Sequence, residues 1–266
     1  MIYITDKVKN KLSDLNKNNY YVIADFDKTL TAKDSNTTFS LFSKSGYYNE
    51  NYVKERNENY EYYRPLELNP NITESEKFNI VKEWQEASYK LMLKYKVHES
   101  DIKRILKMED MLKLRDNAVE FIDYLNNNNI PLIISSAGIG NFIIELLKLN
   151  NCYSDNIYVY SNMLEFKDDI IVDSIASIIH SMNKNDITLT NSVFSRIQNK
   201  KYAIIIGDQL SDLEMAKSLP KVDTISFGFL EANINELQDL FMDKFDIVLK
   251  DNETFESINK ILKLKK

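Results

Sequence analysis

The spacing of apolar and polar positions divides the chain into two textures. The first is a short amphipathic stretch over 6–15, with Val8, Leu12 and Leu15 on one side, followed by an unbroken apolar run over 20–24 that reads as a buried strand. From Asn36 to about Lys107 the spacing is that of helices with few strand signals. Phe39, Leu41 and Phe42 lead into an aromatic-rich stretch from Tyr47 to Tyr63, and Phe78, Val81, Trp84, Ala87, Tyr89, Leu91 and Met92 then recur at helical intervals. Pro65 and Pro70 punctuate this block, and Thr73 with Glu76 has the spacing of a capping box opening a helix.

After Leu114 helix and strand signals alternate. A helix through Val119, Phe121, Ile122 and Leu125 is predicted to reach, by an Asn-rich turn, a strand over 131–135 that ends in Ser136-Ala137-Gly138-Ile139-Gly140. The pattern continues with a helix over 142–149, a strand over 157–160, a hairpin around Lys167 to Asp169 and helical sequence around Ile187 to Ile197. A strand over 202–206 runs into Gly207-Asp208 and a further helix. Then come a strand over 224–227, a helix over 234–241, a strand over 246–249 and a helix over 255–264. Such alternation predicts an α/β fold, a Rossmann-like three-layer core with a central parallel sheet. The helical block becomes an inserted all-helical cap over the carboxyl edge of that sheet. The expected division is a core of 1–33 and 115–266 and a cap of 34–114, with no internal repeat.

Composition narrows the class. The apolar fraction of 44% is that of an ordinary globular chain, and the net charge of −6 comes without a basic concentration of the kind a nucleic-acid partner needs. Small molecules are the expected partners. The single cysteine, Cys152, fits a reducing compartment and reads as a packing residue. No run approaches the ~20 apolar residues of a membrane span, and residues 1–19 lack a signal-peptide core. A cytoplasmic protein without a membrane partner, monomeric rather than oligomeric, is the expectation.

The chemistry gathers at strand ends. In Asp25-Phe26-Asp27-Lys28-Thr29 two carboxylates follow a buried strand, where they lose water and repel each other. A cation or a reaction gives such a pair a use; otherwise the spacing is that of a simple turn or a surface calcium-like loop. Phosphate ester hydrolysis would use Asp25 as nucleophile and Asp27 as acid and base. Ser136 and the amides of Ala137 and Gly138 suit an anion at a helix N-terminus, although an ordinary strand-to-helix turn has the same pattern. Lys184 offers a counter-charge, and Lys200 and Lys201 are rivals near the opposite sheet edge. Asp208 and Asp212, with Asp25 and the backbone carbonyl of Asp27, make a plausible oxygen set for Mg2+.

Together these motifs resemble the haloacid dehalogenase superfamily of aspartate-nucleophile phosphatases. Within it, Ser136-Ala137-Gly138-Ile139-Gly140, His180 to Lys184, Tyr62-Tyr63 with Glu67 and Pro70, and Glu83-Trp84 are similar to the cytosolic pyrimidine 5′-nucleotidase family, over nearly the whole chain. The resemblance implies magnesium-dependent hydrolysis of nucleoside 5′-monophosphates, pyrimidine ones first. Asp25 and Asp27 become catalytic; Ser136, Ala137, Gly138 and Lys184 bind phosphate; Asp25, Asp27, Asp208 and Asp212 serve the metal. Glu67 and Trp84 match cap positions that contact the base. The segment Lys33 to Thr38 lacks the cysteine and histidine of animal members, and Gln209-Leu210-Ser211 replaces a smaller, glycine-containing run. Both departures bear on base preference. Two further readings stand beside this one: a phosphatase of phosphoserine type, and a catalytically idle binding protein. Trp84 and the cap tyrosines also read as packing residues, His180 as a structural histidine, His98 as a surface residue, and the lysines at 260, 263, 265 and 266 as a solvated helix end.

Overall fold

A strand can bury five consecutive residues only when its sheet is covered on both faces, and Tyr20–Ala24 (β2) is buried at every position. Its alternate side chains divide between two cores. Tyr20, Val22 and Ala24 join the larger cluster, while Tyr21 and Ile23 meet Ile133, Ile205 and Met215 on the other face. The computed structural model describes residues 1–172, 178–184, 188–217 and 220–264. In it β2 lies inside a seven-stranded sheet with β1 (Ile2–Ile4), β3 (Leu132–Ile139), β4 (Ile157–Asn162), β7 (Tyr202–Gly207), β8 (Asp223–Leu230) and β9 (Ile247–Lys250). The order is β1-β9-β8-β7-β2-β3-β4, and only β1 runs antiparallel to its neighbour. The α/β three-layer architecture expected from the alternation is therefore the one observed. The register sets Ala24 beside both Ile134 and Ile206, so β2 and β7 end within a residue of one level, which β3 passes on its way to Ile139. Ligands in open sheets of this kind bind beyond that edge.

Helices α1 (Asp6–Asp14), α6 (Ala118–Asn127), α7 (Gly140–Leu149) and α10 (Phe255–Ile261) contribute to the larger cluster, and α8 (Asn191–Ile197) to the other face. Helix α9 (Ile234–Lys244) closes a third, smaller cluster against β8 and β9. Between β2 and β3 stand α2 (Leu41–Lys44), α3 (Glu50–Leu68), α4 (Glu74–Lys94) and α5 (Glu99–Leu106), with α3 and α4 packed as a pair. The capping box is present: Thr73 Oγ1 accepts from Glu76 N–H, and the Glu76 carboxylate accepts from Thr73 N–H. The hairpin pairs β5 (Glu165–Lys167) with β6 (Ile170–Val172). It also clamps the start of α5, where Glu99 N–H donates to the Asp169 carbonyl and Ser100 N–H to its carboxylate. Helix α5 packs on α7 of the sheet layer. Among the described residues no helix is long and apolar enough to cross a membrane.

Several elements differ from the expectation. Pro65 lies inside α3 rather than ending it; it is exposed and three residues from the helix end, so only a last-turn hydrogen bond is lost. Pro70 does follow the C-cap, Asn69. Strand β3 runs on past Ser136 to Ile139, because it keeps pairing with β4 through a register shift between Ser135 and Ile139. Residues 210–216 form 3-10 turns, not an α-helix, and α8 begins at Asn191. Ile187, Lys265 and Lys266 lie outside the described residues. The edge strand β1, three exposed residues long, carries too short a signal to be read.

Candidate active site

Asp25 is the first residue beyond β2, and its N–H donates to the Ile206 carbonyl of β7 (2.9 Å), which fixes the carboxylate at the level where the parallel strands end. One strand over, Asp208 follows Gly207 directly. Asp212 reaches back from the 3-10 segment: its Oδ2 accepts from the Asp208 and Gln209 N–H groups at 3.0 and 2.9 Å. Gly207 must be glycine for this return, since a Cβ there would stand 2.4 Å from the Asp212 side chain. The ammonium of Lys184 bridges the two strands' acids, donating to Asp25 Oδ1 at 2.5 Å and to Asp212 Oδ1 at 2.9 Å. Lys184, Asp25 and Asp212 are all buried. Lys200 and Lys201 are far from this cluster, bonded at the other end of β7 to the Asn18 carbonyl and the Asp14 carboxylate.

Asp27 sits in a sharp turn over 26–30, in which Lys28 takes a left-handed conformation (φ 68°). Thr38 holds its carboxylate twice: the N–H donates at 3.1 and 3.2 Å and the hydroxyl at 2.9 Å. The same hydroxyl oxygen accepts from Ile139 N–H at 3.0 Å, so Thr38 joins the Asp27 turn to β3. Gly138 is the point of closest approach, where a Cβ would lie 2.0 Å from Thr38 Oγ1 and 3.1 Å from Asp27 Oδ2. Ser136 is buried on β3, four residues before α7 rather than at its N-terminus, and its Oγ accepts from Gly138 N–H at 3.1 Å. Sequence pattern does not reveal Thr38, because its partners are 11 and 101 residues away.

Burial governs the electrostatics. Loss of hydration raises the Asp25 carboxyl to about 7; Lys184 opposes the rise, and Asp212 and Asp27 add to it. The Asp27 carboxyl is raised to about 6, again chiefly by desolvation and against the hydrogen bonds from Thr38. Asp208 is pushed well above the carboxylate range by desolvation and by Asp212 and Asp25. For Lys184 desolvation works against the ammonium, but Asp212 and Asp25 outweigh it and hold the group above its usual range. Asp25, Asp27 and Asp208 resist ionisation although the Lys184 ammonium lies among them and Lys28 also acts on Asp27, so the site is short of positive charge. Asp25, Asp208 and Asp212 can each turn an oxygen to within 4.8 Å of the others, and all-oxygen donors of this kind fit a hard divalent cation. Both Asp212 oxygens already accept hydrogen bonds, which suits an orienting role better than direct ligation.

The two residues matched to a base-contacting cap lie on α3 and α4. Glu67 pairs with Arg64 one helical turn away. Trp84 stacks on Tyr63 (6.1 Å between centroids, 14° between planes) and meets Tyr60 at an edge (5.7 Å). The neighbouring Gln85 donates to the Ala137 carbonyl at 3.4 Å, which brings α4 over the Ser136 segment. Asn162 ties the same segment to the Lys184 loop, donating to the carbonyls of Ala137 and Ile179 at 2.8 Å each. His180 is fully buried with its ring against Phe78, and His98 is half-buried beside Asp169.

The chain matches the model of a family described as pyrimidine 5′-nucleotidase (UMPH-1) over residues 4–265. It is 33% identical over 250 residues to the 7-methylguanosine phosphate-specific 5′-nucleotidase of Mus musculus, covering 91% of this chain and 83% of that protein. The human enzyme of the same name is 32% identical over 249 residues, with the same coverage of 91% and 83%. In structure, the chain is similar to cytosolic 5′-nucleotidase IIIB bound to cytidine, with a TM-score of 0.87 and 27% identity over 99% of this chain and 93% of that one. A substrate-bound phosphoserine phosphatase shares the fold at 17% identity, with a TM-score of 0.57 over 95% of this chain and all (100%) of that one.

Proposed function

The chain belongs to the pyrimidine 5′-nucleotidase (UMPH-1) family and is a phosphoric monoester hydrolase; from that premise we propose that it hydrolyses nucleoside 5′-monophosphates with magnesium through an aspartyl-phosphate on Asp25. The observation that carries this reading is the meeting of Asp25, Asp208, Asp212 and Lys184 at the end of β2 and β7. Asp25 attacks phosphorus as the bond to the nucleoside 5′-oxygen breaks, and Asp27 gives its proton to that leaving oxygen. With a carboxyl raised to about 6, Asp27 is suited to give up and regain a proton near neutral pH. It then takes a proton from water, whose oxygen attacks the phosphoryl group; the bond to Asp25 breaks and inorganic phosphate leaves. Lys184, Ser136 and the backbone of Ala137 and Gly138 hold the phosphoryl oxygens. Asp25, Asp208 and the backbone carbonyl of Asp27 would hold the magnesium, oriented by Asp212. When bound, the ion neutralises phosphoryl charge.

The helices between β2 and β3 act as the cap in this reading, with 34–114 as cap and 1–33 with 115–266 as core, in a cytoplasmic monomer. Names of relatives that include "cytosolic" support the location. Glu67 and Trp84 face the base, and the first candidates are pyrimidine nucleotides, in keeping with the cytidine bound in the similar structure. A second reading, 7-methylguanosine monophosphate, is favoured by the stacked Tyr63–Trp84 pair, since a cationic base gains from aromatic faces. Phosphate release from cytidine, uridine, guanosine and 7-methylguanosine monophosphates and from phosphoserine, each with magnesium or chelator, separates the cases. Turnover of phosphoserine alone would remove the nucleotidase reading.

A further inference from the structure

The segment between β2 and β3 leaves and re-enters the sheet layer at one crossing, and hydrogen bonds zip that crossing together. Ala32 N–H donates to the Lys113 carbonyl at 3.0 Å, Arg115 N–H donates to the Leu30 carbonyl at 2.8 Å, and Thr31 bridges Leu114. Adjoining it is the turn that carries Asp27, with non-helical backbone at Asp27 and Lys28. A turn of this shape leaves carbonyls that need partners from elsewhere. One side chain takes two of them: Arg115 donates from Nε to the Thr29 carbonyl at 3.0 Å and from Nη2 to the Lys28 carbonyl. Its remaining donors reach the Glu231 carboxylate at 2.7 and 2.9 Å and the Glu253 carbonyl at 3.3 Å. The guanidinium lies 3.9 Å from the centroid of the Phe229 ring, and the residue is 5% exposed.

A buried Arg–Glu pair is a poor means of gaining stability, because desolvation offsets the attraction and apolar residues of similar volume often serve as well. What an apolar side chain cannot supply is a planar fork with donors in fixed directions. We propose that Arg115, oriented by Glu231, is a positioning residue that aims the Asp25–Asp27 turn and locks it to the crossing of the inserted helices. The proposal rests on the reading that Asp25 and Asp27 perform the chemistry. Lysine at 115 keeps the charge but cannot reach both carbonyls and Glu231 at once. Glutamine at 231 keeps the shape and removes the counter-charge.

The test compares Arg115→Lys and Glu231→Gln with wild type by kinetics on p-nitrophenyl phosphate and on nucleotides, and by amide hydrogen exchange. Each variant is expected to lose about 10- to 100-fold in kcat with KM nearly unchanged, as a misaimed catalytic group does. Exchange is expected to quicken in peptides spanning 25–32 and 113–118 and nowhere else. Small guanidinium compounds should restore part of the rate to Arg115→Ala. If either folded variant keeps wild-type kcat and wild-type exchange in these peptides, the positioning role is overturned. If wild type releases phosphate from no nucleotide while the exchange effect appears, the nucleotidase reading fails and the placement of the turn by Arg115 stands.

Discussion

Replacing Lys184 by methionine removes the ammonium bonded to Asp25 and Asp212 and leaves Asp25, Asp208 and Asp212 together without it. At the effective dielectric of a protein site, unit charges 4 Å apart attract by about 4 kcal/mol, and the contacts here are shorter, 2.5 and 2.9 Å. Breaking one side of a buried pair typically costs about 3–5 kcal/mol. The acids can lower that cost by taking up protons, so the loss depends on pH. Asp25 and Asp208 already have raised values in the folded chain, so the folded state binds more protons than the unfolded one above pH ~4. Stability from these groups is therefore present at low pH and declines as pH rises toward about 7. Without Lys184 their values climb further and the decline extends to higher pH. Urea unfolding in chelator should show Lys184→Met less stable than wild type by about 3–5 kcal/mol at pH 8 and by about half of that at pH 5. Added magnesium should recover more for the variant than for wild type. A loss below about 1 kcal/mol at pH 8, or a loss equal at both pH values, would refute the electrostatic account.

Other consequences are as open to measurement. Gly138→Ala would place a Cβ 2.0 Å from Thr38 Oγ1 and displace the hydroxyl from Asp27; kcat should fall about 10-fold or more with KM little changed, and a wild-type kcat would mean that Thr38 does not hold the acid. Cys152, 1% exposed and with its thiol raised to about 11 by burial, should resist a thiol reagent at neutral pH until denaturant is added; rapid labelling of the native protein would contradict the burial. Thr73→Ala removes the N-cap acceptor of α4 and should cost about 1 kcal/mol in urea unfolding; an unchanged midpoint would show that the box is dispensable. Trp84→Ala should raise KM for 7-methylguanosine monophosphate more than for cytidine monophosphate if the Tyr63–Trp84 pair takes a cationic base. Equal KM values before and after substitution would reduce Trp84 to packing between α3 and α4.

What the sequence discloses and what it conceals follow from the range of the interactions. The run from Tyr20 to Ala24 and the runs in β7 are legible because burial on both faces demands apolar residues without interruption. Asp25, Asp27, Asp208 and Asp212 stand out only as a set: either pair alone has the spacing of a turn, but two pairs of acids, each following a buried apolar run, need a cation or a reaction. The position of Ser136 within a strand was not legible, since pairing of β3 with β4 past a register shift overrides the turn chemistry of its two glycines. Thr38 and Arg115 were not legible either. Their partners at Asp27, Ile139, Thr29 and Glu231 are between 11 and 116 residues distant, and no local spacing encodes those meetings. Pro65 misleads for the opposite reason: a strong local signal is absorbed where the helix is already about to end.

The most direct test of the account is to trap the phosphoryl group. A nucleoside 5′-[32P]monophosphate mixed with the magnesium-loaded protein and quenched in acid should leave label on the peptide containing Asp25, stable to acid and released by hydroxylamine. Folded Asp25→Asn should carry none and release no phosphate. Label absent from wild type during turnover, or phosphate release retained by Asp25→Asn, would contradict the assignment of Asp25 as nucleophile.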